Sequence, residues 1–248
     1  MMRKSRPVQV KHVQIGGGAP VVIQSMTKTD TANVDETVKQ IEEMVTAGCE
    51  VVRLAVPDND AAIALKEIRK RVPEVPLVAD IHFHYKLALM ALDAGVDKLR
   101  LIPGNIGKHE RIVEVVRAAQ VQKGPIRIGV NGGSLEKDLL QKYGTATPEA
   151  MVESAMRHIR ILEELDFTEI IISLKASDVH RTVAAYRLLA EKVDYPFHLG
   201  VTEAGRPSPA RLSHRSGSAF CCTKASATRF AFHWRPNLRK KFVLPGRL

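Results

Sequence analysis

The chain has 248 residues, with 45% apolar and 26% charged side chains and three cysteines. These proportions exclude a disordered or fibrous chain and a disulfide scaffold, and no apolar run approaches the length of a membrane span. The net charge of +10 is confined to the C-terminal end: residues 1–205 balance 27 basic against 27 acidic side chains, while ten Lys and Arg and no acid follow Glu203. Met1 to Pro7 is basic with no apolar segment behind it, so it does not read as a signal peptide, and a cytoplasmic location is expected.

From the N-terminus, Val8–Ile15 alternates and ends at three glycines, Gly16 to Gly18. It reads as a hairpin capping one end of the fold. The glycines read as a turn, because no helical pattern opens after them to hold a phosphate. Short β-branched runs then alternate with amphipathic stretches. Strands are expected near Val21–Met26, Glu50–Val56, Leu77–Ile81, Lys98–Ile102, Ile126–Val130, Glu169–Leu174 and Phe197–Thr202. Helices are expected over Val34–Ala47, Ala61–Val72, Lys86–Ala94, His109–Gln122, Pro148–Leu165 and Val179–Val193, with a further turn of helix in Leu135–Tyr143. In the first helix Val34, Val38, Ile41 and Val45 mark the buried face, and Gly48 ends it.

Seven βα repeats suit either an open doubly wound sheet or a closed (β/α)₈ barrel. No G-x-G-x-x-G follows the first strand, which removes the main support for a dinucleotide sheet. Polar residues instead recur at strand ends, where a barrel gathers them on one face. Arg53, Asp80, Arg100, Arg127, Lys175 and Glu203 occupy such positions, with His82, His84, Asn105, Asn131, Ser134, Ser173, Ser177, His198 and Thr202 nearby. A lone arginine at a strand end is ordinarily a surface ion-pair partner. Four cations at the ends of four strands form an anion cradle suited to a diphosphate, since guanidinium groups grip phosphate through paired N–H donors. His82 and His84, two apart and on one side if the strand continues, leave open a divalent-metal pair, a proton relay or a structural role. Glu203 is a candidate acid or base, or a partner for one of the arginines. Cys49 reads as a small buried apolar residue.

Six segments carry a specific resemblance: Ile23 to Thr27, Val52 to Pro57, Ala79 to Phe83, Leu99 to Gly107, Ile128 to Leu135 and His198 to Gly205. In this order they resemble the 4-hydroxy-3-methylbut-2-enyl diphosphate synthases, the GcpE family. The resemblance implies a (β/α)₈ barrel and reductive ring opening of 2-C-methyl-D-erythritol 2,4-cyclodiphosphate in isoprenoid biosynthesis. It implies electrons from flavodoxin or ferredoxin through a [4Fe–4S] cluster, and a homodimer. It places Arg53, Arg100, Arg127 and Lys175 in a diphosphate clamp and Asn131 and Ser177 in further substrate contacts. Asp80, His82 and Glu203 then stand near the reacting carbons, with Glu203 the leading acid or base.

The family's cluster domain is not recognisable after Gly205, so two segments are expected: a substrate-binding barrel over 1–205 and an aberrant basic tail over 206–248. The tail is expected to be disordered or frame-shifted, to supply no eighth strand and to offer no cluster ligand set, since Cys221 and Cys222 are adjacent. Such a chain is expected to be inactive, and a barrel missing its closing strand to aggregate through its edges. Codons can be chosen for Gly217 to Thr228 that, read from one nucleotide earlier, spell Gly-Leu-Gly-Ile-Leu-Leu-Tyr-Glu-Gly-Ile-Gly-Asp, similar to the family's next segment. The competing readings are a basic arm for nucleic acid or membrane, which the mixed, pattern-free composition disfavours, and a barrel that binds diphosphate without turnover. A metal-dependent barrel hydrolase using His82 and His84 is the weakest alternative.

Overall fold

The computed structural model describes residues 3–106 and 108–200, and the backbone of 231–233. An antiparallel hairpin comes first, β1 (Val8–Val10) and β2 (Val13–Ile15). Then β3 (Val22–Met26), α1 (Val34–Thr46), β4 (Val51–Ala55), α2 (Asn59–Arg71), β5 (Leu77–Asp80), α3 (Tyr85–Asp93) and β6 (Lys98–Leu101) follow. After β6 come α4 (Pro103–Ile106), α5 (His109–Val121), β7 (Ile126–Asn131), α6 (Lys137–Tyr143), α7 (Pro148–Glu163), β8 (Ile170–Lys175), α8 (Val179–Ala190) and β9 (His198–Leu199). Every strand from β3 to β9 lies within one of the seven runs read from the sequence or one residue beyond it.

Local chemistry explains the helix starts. Asn33, Asp58, Thr147 and Asp178 each accept a backbone N–H of the first turn, at 3.3, 2.9, 3.2 and 2.6 Å. In α1 the buried face is Thr37, Val38, Ile41 and Met44, while Val45 is exposed. The expected seam was thus one residue off at its end, because Met44, three residues beyond Ile41, meets the core first.

The strands run parallel in the order β8-β7-β6-β5-β4-β3-β10-β9, where β10 is Ala231–His233. Ala231–His233 pairs with Val22–Gln24 on one side and with His198–Leu199 on the other. Phe197, just before β9, bridges Ile172 of β8 and joins the two ends of the order. The eighth strand was expected to be missing, and a segment of the tail supplies it. The free edges of β3 and β9 offer parallel backbone partners on both sides, and three extended residues suffice to meet them. The remainder of 206–248 lies outside the described residues, as do Thr202 and Glu203. Among the described residues no helix is long and apolar enough to cross a membrane.

Alternation along the strands builds two cores. Outward residues meet the helices in one large cluster that includes Ile41, Leu54, Leu65, Leu99, Ile128, Ile159 and Ile172. The second cluster is the floor of the barrel, where Val22, Val51, Val78 and Ile171 pack against Val8, Val10 and Ile15 of the hairpin. The hairpin therefore plugs the N-terminal end, as read. Gly16 has φ +78°, and a Cβ there would lie 2.4 Å from the Arg6 carbonyl and 2.9 Å from Pro196, so this glycine turns the chain against the barrel wall.

Candidate active site at the barrel mouth

Two residues above the apolar floor, the same strands carry charge. Val51 precedes Arg53, Val78 precedes Asp80, and Ile171 leads to Ser173 and Lys175. Strand register then aligns them. Asp80 pairs with Arg100, Arg100 with Arg127, and Asn131 with Lys175. The result is five cations facing one interior: Arg53, Lys98, Arg100, Arg127 and Lys175. All but Arg53 are buried, with Arg127 only 1% and Lys175 only 8% exposed.

Asp80 is the carboxylate that ties this cluster together. It lies 3.1 Å from Arg100, 3.5 Å from Arg53 and 3.4 Å from His82. Burial opposes its ionisation, but the His82 hydrogen bond and the fields of Arg53, Arg100 and Arg127 outweigh burial and hold the carboxyl well below the usual range. Asp80 is therefore ionised at neutral pH and suited to holding two arginines, not to donating a proton. Arg53 also directs Nε and Nη2 at the Met26 sulfur, at 3.2 and 2.8 Å.

Arg127 donates to Ser173 Oγ at 3.3 Å, and Ser173 donates to the Ile128 carbonyl at 3.3 Å. Burial first, and then repulsion from Arg53 and Arg100, pushes the Arg127 pKa well down. Lys175 is lowered by burial and by Arg127, Arg53 and Arg100, and Lys98 by burial and by Arg127 and Arg53. The Nε atoms of Arg100 and Arg127 are buried without a hydrogen-bond partner. Among the described residues, five cations surround one carboxylate with N–H donors unspent. An anion with several oxygens meets both deficits.

The structure brings Arg53, Asp80, Arg100, Arg127 and Lys175 together, with half-buried Asn131 at the end of β7 beside Lys175. Ser177 is exposed, just before the cap of α8. His82 is 57% exposed at its side chain, within reach of Asp80. Glu203 lies outside the described residues. The histidine pair needs correction: β5 ends at Asp80, so His82 and His84 sit in a loop, not on a strand, and His84 is the cap residue of α3. Among the described residues no three His, Cys, Asp or Glu side chains are grouped to hold a metal ion. Cys49 is buried, with its thiol pushed up to about 11 chiefly by burial, which suits a packing role. The described residues thus do not fit an iron–sulfur cluster.

Sequence reasoning missed Lys98, Gln24 and Gly129. Lys98 donates to Gln24 Oε1 at 2.9 Å beneath the arginines. It stands two residues before Arg100, the spacing that puts strand residues on one face. A Cβ on Gly129 would lie 2.9 Å from Arg100 Nε and 3.1 Å from its Nη2, so glycine lets that guanidinium lie against β7.

Fold and site together define a parallel (β/α) barrel with a cation-lined mouth. The model of the GcpE TIM-barrel domain matches residues 5–221, running past Gly205. The chain belongs to this family. It is 60% identical over 203 residues to the 4-hydroxy-3-methylbut-2-en-1-yl diphosphate synthase (flavodoxin) of Thermodesulfovibrio yellowstonii, covering 82% of this chain and 58% of that protein. The same-named protein of Symbiobacterium thermophilum is 58% identical over 215 residues, covering 87% and 58%. That of Geobacter sulfurreducens is 59% identical over 205 residues, covering 83% and 58%. The chain therefore spans a little over half the length of these relatives. Among solved structures, dihydropteroate synthase from Stenotrophomonas maltophilia aligns with TM-score 0.67 at 12% identity, over 92% of each chain. A truncated 3-deoxy-D-arabino-heptulosonate 7-phosphate synthase from Thermotoga maritima aligns at TM-score 0.62 and 13% identity, over 96% of this chain and 83% of that one. At such identities the likeness is one of fold.

Proposed function

We propose that this barrel binds 2-C-methyl-D-erythritol 2,4-cyclodiphosphate for reductive ring opening to 4-hydroxy-3-methylbut-2-enyl diphosphate, a step of isoprenoid biosynthesis. The observation that carries the reading is the buried excess of cations at the mouth of a barrel about 60% identical to proteins named for that synthase. Arg53, Arg100, Arg127 and Lys175 hold the diphosphate. Asn131 and Ser177 add neutral donors. Asp80 keeps Arg53 and Arg100 aimed inward and excludes other orientations. His82, exposed and hydrogen-bonded to Asp80, is placed to hold a proton near the bound anion, and Glu203 is the further acid or base.

The electrons of this reaction belong to a [4Fe–4S] cluster and a flavodoxin or ferredoxin. The relatives' name supports flavodoxin. The share of the described residues is substrate binding and orientation. A homodimer, and no nucleic acid or membrane partner, complete the reading.

Calorimetric titration with the cyclodiphosphate tests it. One-site binding displaced by inorganic pyrophosphate is expected, and absence of binding would overturn the reading. We also propose that the residues after Gly205 are read out of frame, supported by the lack of any acid after Glu203. Sequencing the source DNA across Thr202 to Ser218 should find an inserted or missing base, and an intact frame refutes it.

A further inference from the structure

Two lysines stand among the arginines of the barrel, and their surroundings differ. Lys98, on β6, is 0% exposed and donates to Gln24 Oε1 at 2.9 Å. Lys175, the last residue of β8, is 8% exposed. Its Nζ makes no hydrogen bond or ion pair among the described residues, and it is not one of the polar atoms sealed from solvent without a partner. It is therefore a primary amine without an acceptor, within reach from the mouth. The charged groups around it are Arg127 on β7, Arg53 on β4, Arg100 on β6 and Asp80 on β5. Burial first, and then the three guanidinium groups, oppose a proton on Nζ, and Asp80 does not make up the difference. An amine so placed keeps its lone pair, which is what makes a lysine a nucleophile toward a carbonyl carbon.

The neighbours define the carbonyl compound. Arg127 Nη1 donates to Ser173 Oγ at 3.3 Å, and Ser173 precedes Lys175 by two residues on the same face of β8. The guanidinium therefore lies one two-residue step, about 7 Å, below the lysine's place on the strand. That step sets a short spacer between a phosphate on the guanidinium and a carbon at the amine. Asn131, the register partner of Lys175 on β7, is a neutral donor beside it. We propose that Lys175 captures small phosphorylated aldehydes as an imine, with the phosphate held by Arg53, Arg100 and Arg127. The Nζ lone pair forms a bond to the aldehyde carbon, the C=O bond breaks, and the oxygen leaves as water with both hydrogens of the neutral amine. No oxidant or reductant takes part. The cations are those of the proposed diphosphate site, but imine formation does not rest on the cyclodiphosphate, which has no carbonyl carbon.

Glycolaldehyde phosphate tests the proposal on the full chain at neutral pH. Sodium cyanoborohydride is present to reduce the imine to a secondary amine, and the labelled lysines are mapped by peptide mass spectrometry. Lys175 should be labelled at least about tenfold faster than Lys142, an exposed lysine paired with Glu153. Its half-saturation should be at least about tenfold lower than with unphosphorylated glycolaldehyde, the least that charge-assisted bonds to phosphate confer. Inorganic pyrophosphate should suppress the labelling. Reaction at Lys175 no faster than at Lys142, or equal half-saturation with the two aldehydes, overturns the proposal. Labelling at Lys175 without any binding of the cyclodiphosphate would refute the proposed function alone. Mapping on the wild-type chain decides the matter even if Lys175→Met fails to fold.

Discussion

The floor and the mouth of this barrel are built from the same strands two residues apart, yet they obey opposite rules. At the floor Val22, Val51, Val78 and Ile171 close against the hairpin with no polar side chain in the cluster. At the mouth Arg53, Asp80, Arg100, Arg127 and Lys175 crowd together with one carboxylate among four cations, and Lys98 lies beneath. The floor satisfies itself through burial of apolar surface. The mouth does not, because taking charges from water without full compensation destabilises the fold. The instability is local and of a kind that a ligand of opposite charge would relieve. The difference separates the part of the barrel that holds the fold from the part that uses it.

The largest effect should come from removing Asp80, the carboxylate that the described residues place among the cations of the mouth. Asp80→Asn leaves Arg53 and Arg100 facing each other, and a loss of roughly 3–5 kcal/mol is expected in urea unfolding. Part of it should return with saturating pyrophosphate, since the anion replaces the missing charge; no return would break the contrast between the regions. At the floor, Ile171→Ala should cost about 2–5 kcal/mol through the cavity it leaves. Its pyrophosphate affinity should match wild type, and a weakened affinity would show that the regions are not separable.

Gly129→Ala should act the other way, lowering pyrophosphate affinity by about an order of magnitude as Arg100 is displaced, with a smaller change in stability. The pH dependence sharpens the comparison further. Lys98 and Lys175 have folded pKa values below their ordinary one, so the unfolded state binds more protons and stability should rise with pH toward about 10. Pyrophosphate should reverse this through proton uptake on binding at pH 8, read from calorimetry in buffers of different ionisation enthalpy. Glu136, away from the mouth, also has a lowered pKa, so stability again rises with pH, but in the acid range. Its contribution is full above the ordinary carboxylate pKa and is lost as pH falls toward about 2, and Glu136→Gln should flatten that acid limb.

Most of the fold was legible because period-2 and period-3.6 patterns alternate cleanly from Val22 to Leu199. The gathering of cations was legible because Arg53, Arg100, Arg127 and Lys175 recur at strand ends, a regularity that a single surface arginine lacks. The ion pairs of Asp80 with Arg53 and Arg100 were not, since a carboxylate between arginines and one beside a reacting carbon look alike in sequence. Glu136 and His158 are 22 residues apart on different helices, and only the packing of α6 on α7 joins them. The closing strand was missed because Ala231-Phe232-His233 carries too short a pattern, and its pairing depends on two edges distant in sequence.

The most direct test of the central claim is the affinity of the full chain for inorganic pyrophosphate, with phosphate as reference and Arg127→Met as the probe of the buried charge. One-site binding of pyrophosphate is expected, tighter than phosphate, with Arg127→Met weakening it about 10- to 100-fold at an unchanged fold, as loss of a charge-assisted bond requires. Equal affinities for the two anions, or a folded Arg127→Met that binds pyrophosphate as wild type does, would contradict the claim that the buried cations form a diphosphate site.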